Sequence, residues 1–294
     1  MRFSLFVFER RTPLHTAGAL LLALAAGACT QNPPTPTPVA PGPPAVEIGA
    51  ESRDFSQYTE LVWSDEFDGT ALDANKWTPE VRDVWFNNEL QATTNSRDNV
   101  SVANGMLTIT AKRQALNGRD YTSARINTKG KRDFVFGRID TRAKLPKGKG
   151  LWPAIWMLGS NDATATWPNC GEIDIMELKG SAPKVNYTTV HFGTNPTTDH
   201  KQRGTTYTLP GATDFGDDFH VFSVIRSRDQ MRWYIDGALY YTLTPGDVLP
   251  YPFNNPFYMI LNVAVGGDFD GNPDATSTFP QQMQVDYVKY FQYK

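Results

Sequence analysis

Cysteine is almost absent from these 294 residues: Cys29 and Cys170 are the whole complement. A disulfide framework is thereby excluded, since two thiols allow one bridge at most. Apolar runs are short as well. The stretch from Ala17 to Ala28 falls below the roughly 20 residues that a membrane-spanning helix needs. Basic runs stop at pairs such as Lys112-Arg113 and Lys131-Arg132, and the formal charge is −3. A chain with no basic stripe is poorly equipped to displace counterions from phosphates, so nucleic acid is not expected as a partner. Also lacking are a helical pattern of ten or more residues and any internal repeat.

Arg2, Arg10 and Arg11 precede the short apolar stretch, which reads as a secretory signal over residues 1–28. Leu24-Ala-Ala-Gly-Ala-Cys29 resembles a bacterial lipoprotein signal, in which cleavage leaves the cysteine as a lipid-bearing N-terminus; Ala26 departs from the leucine usual in that pattern. The alternatives are a signal in which Cys29 is simply lost and, through Arg10-Arg11, a twin-arginine signal. Export is expected either way, to a membrane-anchored position at the outer membrane or cell surface, or otherwise as a secreted protein. Gln31 to Ala45 carries seven prolines and no apolar periodicity, an extended and semi-rigid stalk. With the irregular lead-in from Val46 to Tyr58 it makes residues 29–58 a proline-rich linker and lead-in, and residues 59–294 the functional domain. Removing residues 1–28 deletes Arg2, Arg10, Arg11 and Glu9, so −3 becomes −5. If Cys29 carries lipid, Cys170 is the one thiol left. It has no histidine nearby in sequence and is expected as a small buried residue, not a nucleophile.

Strand signals fill the domain. Asn99–Val102 and Met106–Thr110 flank a glycine-bearing hairpin loop, and Phe134–Leu145 ends in clean alternation. Further strands are expected over Phe219–Arg226, Met231–Ile235, Ala238–Leu243, Phe257–Val265 and Met283–Tyr290, with Asp236-Gly237 as a turn. Many strands punctuated by glycine and proline make the chain all-β, a single β-sandwich.

Within it, Glu172-Ile-Asp174-Ile-Met-Glu177 sets three carboxylates among apolar strand formers. Alternation puts Glu172 and Asp174 on one face, with Ile173 and Ile175 beneath. Glu177 falls on the wrong face unless one residue, Met176, is bulged out, which returns it to the acidic side. Like charges so close raise one another's pKa and hold a proton within the group. Glycoside hydrolysis uses such a set: one ionised and one protonated carboxyl, about 5–5.5 Å apart for retention and roughly 6.5–9.5 Å for inversion. A calcium site or a solvated acidic edge fits the triplet equally well. Trp152 and Trp156, four apart, share a strand face, as core tryptophans or as stacking platforms for sugar C–H faces, and Trp167 is expected at the rim of the site.

Gly171-Glu-Ile-Asp-Ile-Met-Glu177, preceded by Gly150-Leu-Trp-Pro-Ala-Ile-Trp-Met-Leu-Gly159, resembles glycoside hydrolase family 16, and within it the bacterial laminarinases, which are endo-β-1,3-glucanases. Leu61–Gly69, Asn87–Gln91, Tyr121–Ile126 and Ile260–Gly267 resemble family segments in the same order, so the likeness runs from about Glu60 to Phe291. It implies a concanavalin A-like jelly roll whose concave sheet carries the substrate cleft, and retaining cleavage of laminarin-type β-1,3-glucan or mixed β-1,3/1,4-glucan by a monomer. Glu172 would be the nucleophile, Glu177 the acid and then base, and Asp174 the group that tunes both. His191 matches a histidine pointing into the cleft, and Asn88 and Arg125 match donors to sugar hydroxyls. No cofactor serves catalysis, but Glu66, the carbonyl of Gly105 and Asp286 resemble a structural calcium site, for which oxygen donors are suited. Three departures stand near the expected rim: Phe86 for a usual glycine, Ala92-Thr93 for aromatics and Phe269 for a tryptophan. The competing readings are a relative that cuts agar or carrageenan, which shares the bulged motif, and a carbohydrate-binding sandwich without turnover.

Overall fold

The structure, a computed structural model, describes residues 49–293. The signal and its alternatives, the lipidation site Cys29 and the proline-rich stalk lie outside the described residues. Among those described, the first strands are β1 (Glu60–Asp65), β2 (Thr78–Pro79), β3 (Gln91–Thr93), β4 (Val100–Ala103), β5 (Met106–Leu116) and β6 (Arg119–Ser123). Then come β7 (Arg125–Asn127), β8 (Gly137–Lys144), β9 (Leu151–Gly159), β10 (Glu172–Leu178), β11 (Val185–Asn195) and β12 (Asp199–Thr208). The chain closes with β13 (His220–Arg226), β14 (Met231–Ile235), β15 (Ala238–Leu243), β16 (Phe257–Val265) and β17 (Gln281–Gln292). The helical segments among the described residues are two 3-10 turns, Phe55–Gln57 and Pro245–Asp247.

Two sheets form the sandwich. One runs β15-β14-β13-β8-β17-β5-β6-β3, with β1 on β17 and β4 on β5; the other, of seven strands, runs β12-β11-β10-β9-β16-β7-β2. Strand alternation explains the layers. In β16, Met259, Leu261, Val263 and Val265 enter the shared core, whereas Tyr258, Ile260, Asn262 and Ala264 take the outer face. Ile173, Ile175, Met176 and Leu178 of β10 join the same core, each burial contributing about 1.5–3 kcal/mol. Tight hairpins set the registers. Asn104-Gly105, Asn117-Gly118 and Asp236-Gly237 all have both residues at positive φ, the conformation that matches strand twist in two-residue loops.

Residues 50–58 are irregular apart from the first 3-10 turn, yet they are no free linker. Tyr58 is buried with Ile225 and Tyr234 in a second small cluster, the Phe55 ring lies 4.8 Å from that of Tyr234, and the Arg228 amide donates to the Ala50 carbonyl at 2.7 Å. This part of the lead-in is packed domain.

Candidate active site

The acidic strand β10 is irregular where the sequence demanded it. Against β11, Asp174 faces Thr189 and Glu177 faces Tyr187, so three steps on β10 oppose two on its neighbour. The same slip appears against β9, where Asp174 faces Trp156 and Glu177 faces Ala154. One extra residue therefore turns Glu177 back to the face of Glu172 and Asp174, while Ile175 and Met176 stay in the core. Cross-strand pairing carries the face outward: His191 stands opposite Glu172, and Trp152, Ala154 and Trp156 of β9 share the acidic side.

Each outer glutamate is held by an indole. Trp167 Nε1 donates to Glu172 Oε2 at 2.9 Å, and Trp152 Nε1 donates to Glu177 Oε1 at 2.8 Å. His191 Nε2 lies 3.8 Å from Glu172 Oε1 and 3.5 Å from Asp174 Oδ2. Asp174 is 2 % exposed and its Oδ2 has no hydrogen-bond partner among the described residues. Burial pushes all three carboxyls up to about 8. Asp174 adds to the rise at both glutamates, and His191 and the indole donors oppose it. The cluster thus retains protons near neutral pH, which supplies an acid, and a nucleophile at the same site must be the member that gives its proton up.

That rise has a sign for stability. A carboxyl whose folded pKa exceeds its unfolded value binds more protons when folded, so stability falls as pH climbs from about 4 towards about 8. Asp174→Asn removes the penalty. The variant should unfold several degrees above the unaltered protein at pH 8, at about 2–4 °C per kcal/mol, with the gap closing towards pH 4. Calorimetry at the two pH values tests this; equal gaps at both would refute it.

The other expected site residues divide. Trp152 and Trp156 lie on the acidic face, and Trp167 grips a carboxylate while its ring lies 4.6 Å from that of His200. Arg125 is stacked between Trp85 and Trp156, 4.6 and 4.7 Å from the two rings, and pairs with Glu80 at 3.0 Å. Asn88 is engaged elsewhere: its amide donates to Asp268 at 2.8 Å, clasping two loops. Phe269 keeps an aromatic next to Trp152, 4.9 Å between rings, but Ala92 and Thr93 are buried in β3, so that departure does not fall at a rim. Cys170 is fully buried, and burial pushes its thiol up to about 11, far from a thiolate nucleophile.

Sequence reasoning passed over Asn262, which accepts from Trp156 Nε1 at 2.7 Å, and His200, whose Nε2 lies 2.8 Å from His191 Nδ1. Asn262 sits inside a motif already singled out. His200 is the second residue of β12, an exposed polar edge strand with no apolar alternation to announce it.

Two places among the described residues bear on metal ligation. The ligating atoms of Glu172, Asp174 and His191 lie within 4.8 Å of one another, close enough for a divalent ion. At the expected calcium site, Glu66 pairs with Lys289 at 3.2 Å and Asp286 with Arg142 at 2.5 Å, and both acids act on Tyr287. The donors there are the oxygens calcium takes, but each carboxylate already has a protein cation.

Comparison with known proteins narrows the chemistry. The profile of "Glycosyl hydrolases family 16" matches residues 87–289. The chain is 41 % identical over 262 residues to a "Beta-glucanase" of Rhodothermus marinus, covering 84 % of this chain and 90 % of the relative. It is 39 % identical over 287 residues to "Glucan endo-1,3-beta-glucosidase A1" of Niallia circulans, covering 88 % of this chain but 42 % of that longer protein. The laminarinase catalytic domain of Thermotoga maritima superposes with a TM-score of 0.75 at 42 % identity, over 80 % of this chain and 98 % of that one.

Proposed function

Because the chain belongs to glycoside hydrolase family 16, we propose that it is an endo-acting, retaining β-1,3-glucanase that cuts laminarin-type chains and also accepts mixed β-1,3/1,4-glucan. The observation that carries this reading is the bulge between Asp174 and Glu177, which sets two indole-held glutamates on one outward face. In the first step Glu172 attacks the anomeric carbon while Glu177 gives its proton to the departing glycosidic oxygen. Water then enters, Glu177 takes its proton, and the resulting hydroxide displaces Glu172 from the sugar. Asp174, between them, shares a proton with whichever neighbour is gaining charge. Trp152 and Trp156 offer the sugar rings an apolar floor, and Arg125, held by stacking, offers hydroxyls a donor. Incubation with laminarin should release reducing ends that are β when first formed, followed by proton NMR; α ends at the earliest time would exclude retention.

Two further elements rest on sequence resemblance. A calcium ion bound by Glu66, the Gly105 carbonyl and Asp286 would take over from Lys289 and Arg142 as the carboxylates' partner and tie the first and last strands together. Millimolar calcium should then raise the unfolding temperature and a chelator lower it; no response to either would dismiss the ion. Export as a monomeric lipoprotein anchored through Cys29 is supported by the signal-like N-terminus and the stalk behind it. Replacing Cys29 with serine should move the protein from the membrane fraction to the soluble one.

A further inference from the structure

A ladder of rings and guanidinium groups leads away from the acids. It begins at Trp156, opposite Asp174 in the register, and passes to Arg125 at 4.7 Å and Trp85 at 4.6 Å. Arg82 then lies 5.1 Å from the Trp85 ring and 4.8 Å from the ring of Phe86. Burial changes along this line. Trp85 is 6 % exposed, whereas Phe86 is 64 % and Val84, two residues before it, 61 % exposed.

The exposure does not come from a loose loop. Asn87 and Asn88 hold left-handed turns at φ 55° and 57°, Asn88 is bonded to Asp268, and the Asp268 amide donates to the Asn87 carbonyl at 2.9 Å. The Leu90 amide bonds Val265 of β16 at 2.8 Å. A Cβ on Gly267 would stand 2.9 Å from the Asn87 carbonyl and 3.5 Å from the Trp152 ring, so this turn lies against the wall of the cleft. A fixed turn thus presents an aromatic ring to water in continuity with the cleft floor, at a position where the family resemblance leads one to expect glycine.

We propose that Phe86, with Val84 beside it, forms an additional binding platform that takes a distant glucosyl unit of a long β-1,3-glucan chain after it leaves the cleft. The proposal rests on the glucanase reading above. A neutral sugar presents C–H faces that suit a phenyl ring, and burying Phe86 and Val84 beneath it removes apolar surface from water. The Arg82 guanidinium packs against the ring, 4.8 Å from its centre. A short oligosaccharide confined to the acids and Trp156 would be separated from this ring by Arg125 and Trp85.

The test compares Phe86→Gly and Val84→Ser with the unaltered protein on laminarin and on laminaritriose. For Phe86→Gly, kcat/KM on laminarin should fall about three- to tenfold through KM, with laminaritriose turnover unchanged. Val84→Ser should give a smaller loss of the same kind, and Phe86→Trp should keep the preference for long chains. Equal losses on both substrates would mean that the turn had been disturbed, and no loss on either that the ring is idle; each result overturns the platform. Failure of the unaltered protein to cleave any chain length would overturn the glucanase reading and the platform with it.

Discussion

Glu172→Gln is expected to keep the fold and to lose laminarin hydrolysis by about 10³-fold or more, because an amide cannot form the covalent glycosyl intermediate. Its carbonyl can still accept from Trp167, so the local hydrogen bond survives. The change also removes a carboxyl that burial penalises when ionised, so the unfolding temperature should not fall at pH 7. Steady-state rates together with thermal unfolding separate these outcomes. Residual activity within tenfold of the unaltered protein would remove Glu172 from the mechanism, whereas lost activity with lost structure would show only a damaged strand.

The second large effect belongs to Glu177. Glu177→Ala should slow cleavage of laminarin about 10²–10⁴-fold, the range for losing a positioned acid. The loss should be far smaller in the first step with an aryl glycoside, whose leaving group departs without a proton. Azide is small enough to occupy the space left by the carboxyl, and it should restore turnover by attacking the glycosyl intermediate from the face that water uses. The product would be a β-glycosyl azide. An α-azide from this variant would mean that the two glutamates have exchanged roles, since it requires direct displacement without the intermediate. Trp152 loses its acceptor in the variant, so the Trp152→Phe change is a useful control for the indole's own part.

Much of this molecule could be read from its residues because alternation in a half-buried strand is a local rule. Met231–Ile235, Ala238–Leu243 and Phe257–Val265 begin and end where apolar periodicity and the Asp236-Gly237 turn set them. Elsewhere the signal was blurred. Phe134 and Val135 precede β8, and Phe134 is joined by a single bridge to Phe257 of β16, in the other sheet, and not by a continuous ladder. β12 went unseen because an edge strand facing water needs no apolar side chains, and its pairing with β11 is made by backbone groups that any sequence supplies. Residues 50–58 read as a lead-in for a similar reason: their partners, Ile225, Tyr234 and Tyr293, lie far along the chain.

By itself the sequence determined the spacing of Glu172, Asp174 and Glu177, and with it the need for one bulged residue, since a period of two leaves Glu177 in the core otherwise. It also determined the all-β character, through the short apolar alternations and glycine turns. Which partners surround those acids was decided by folding alone. Trp152, Trp167 and His191 meet them, with His200 behind His191, because separate strands and a loop are brought side by side by register, and register follows from packing across two sheets. Burial, which lifts the carboxyls from ordinary acids to groups that keep protons near neutrality, is likewise a property of the assembled sandwich and of no stretch of chain within it.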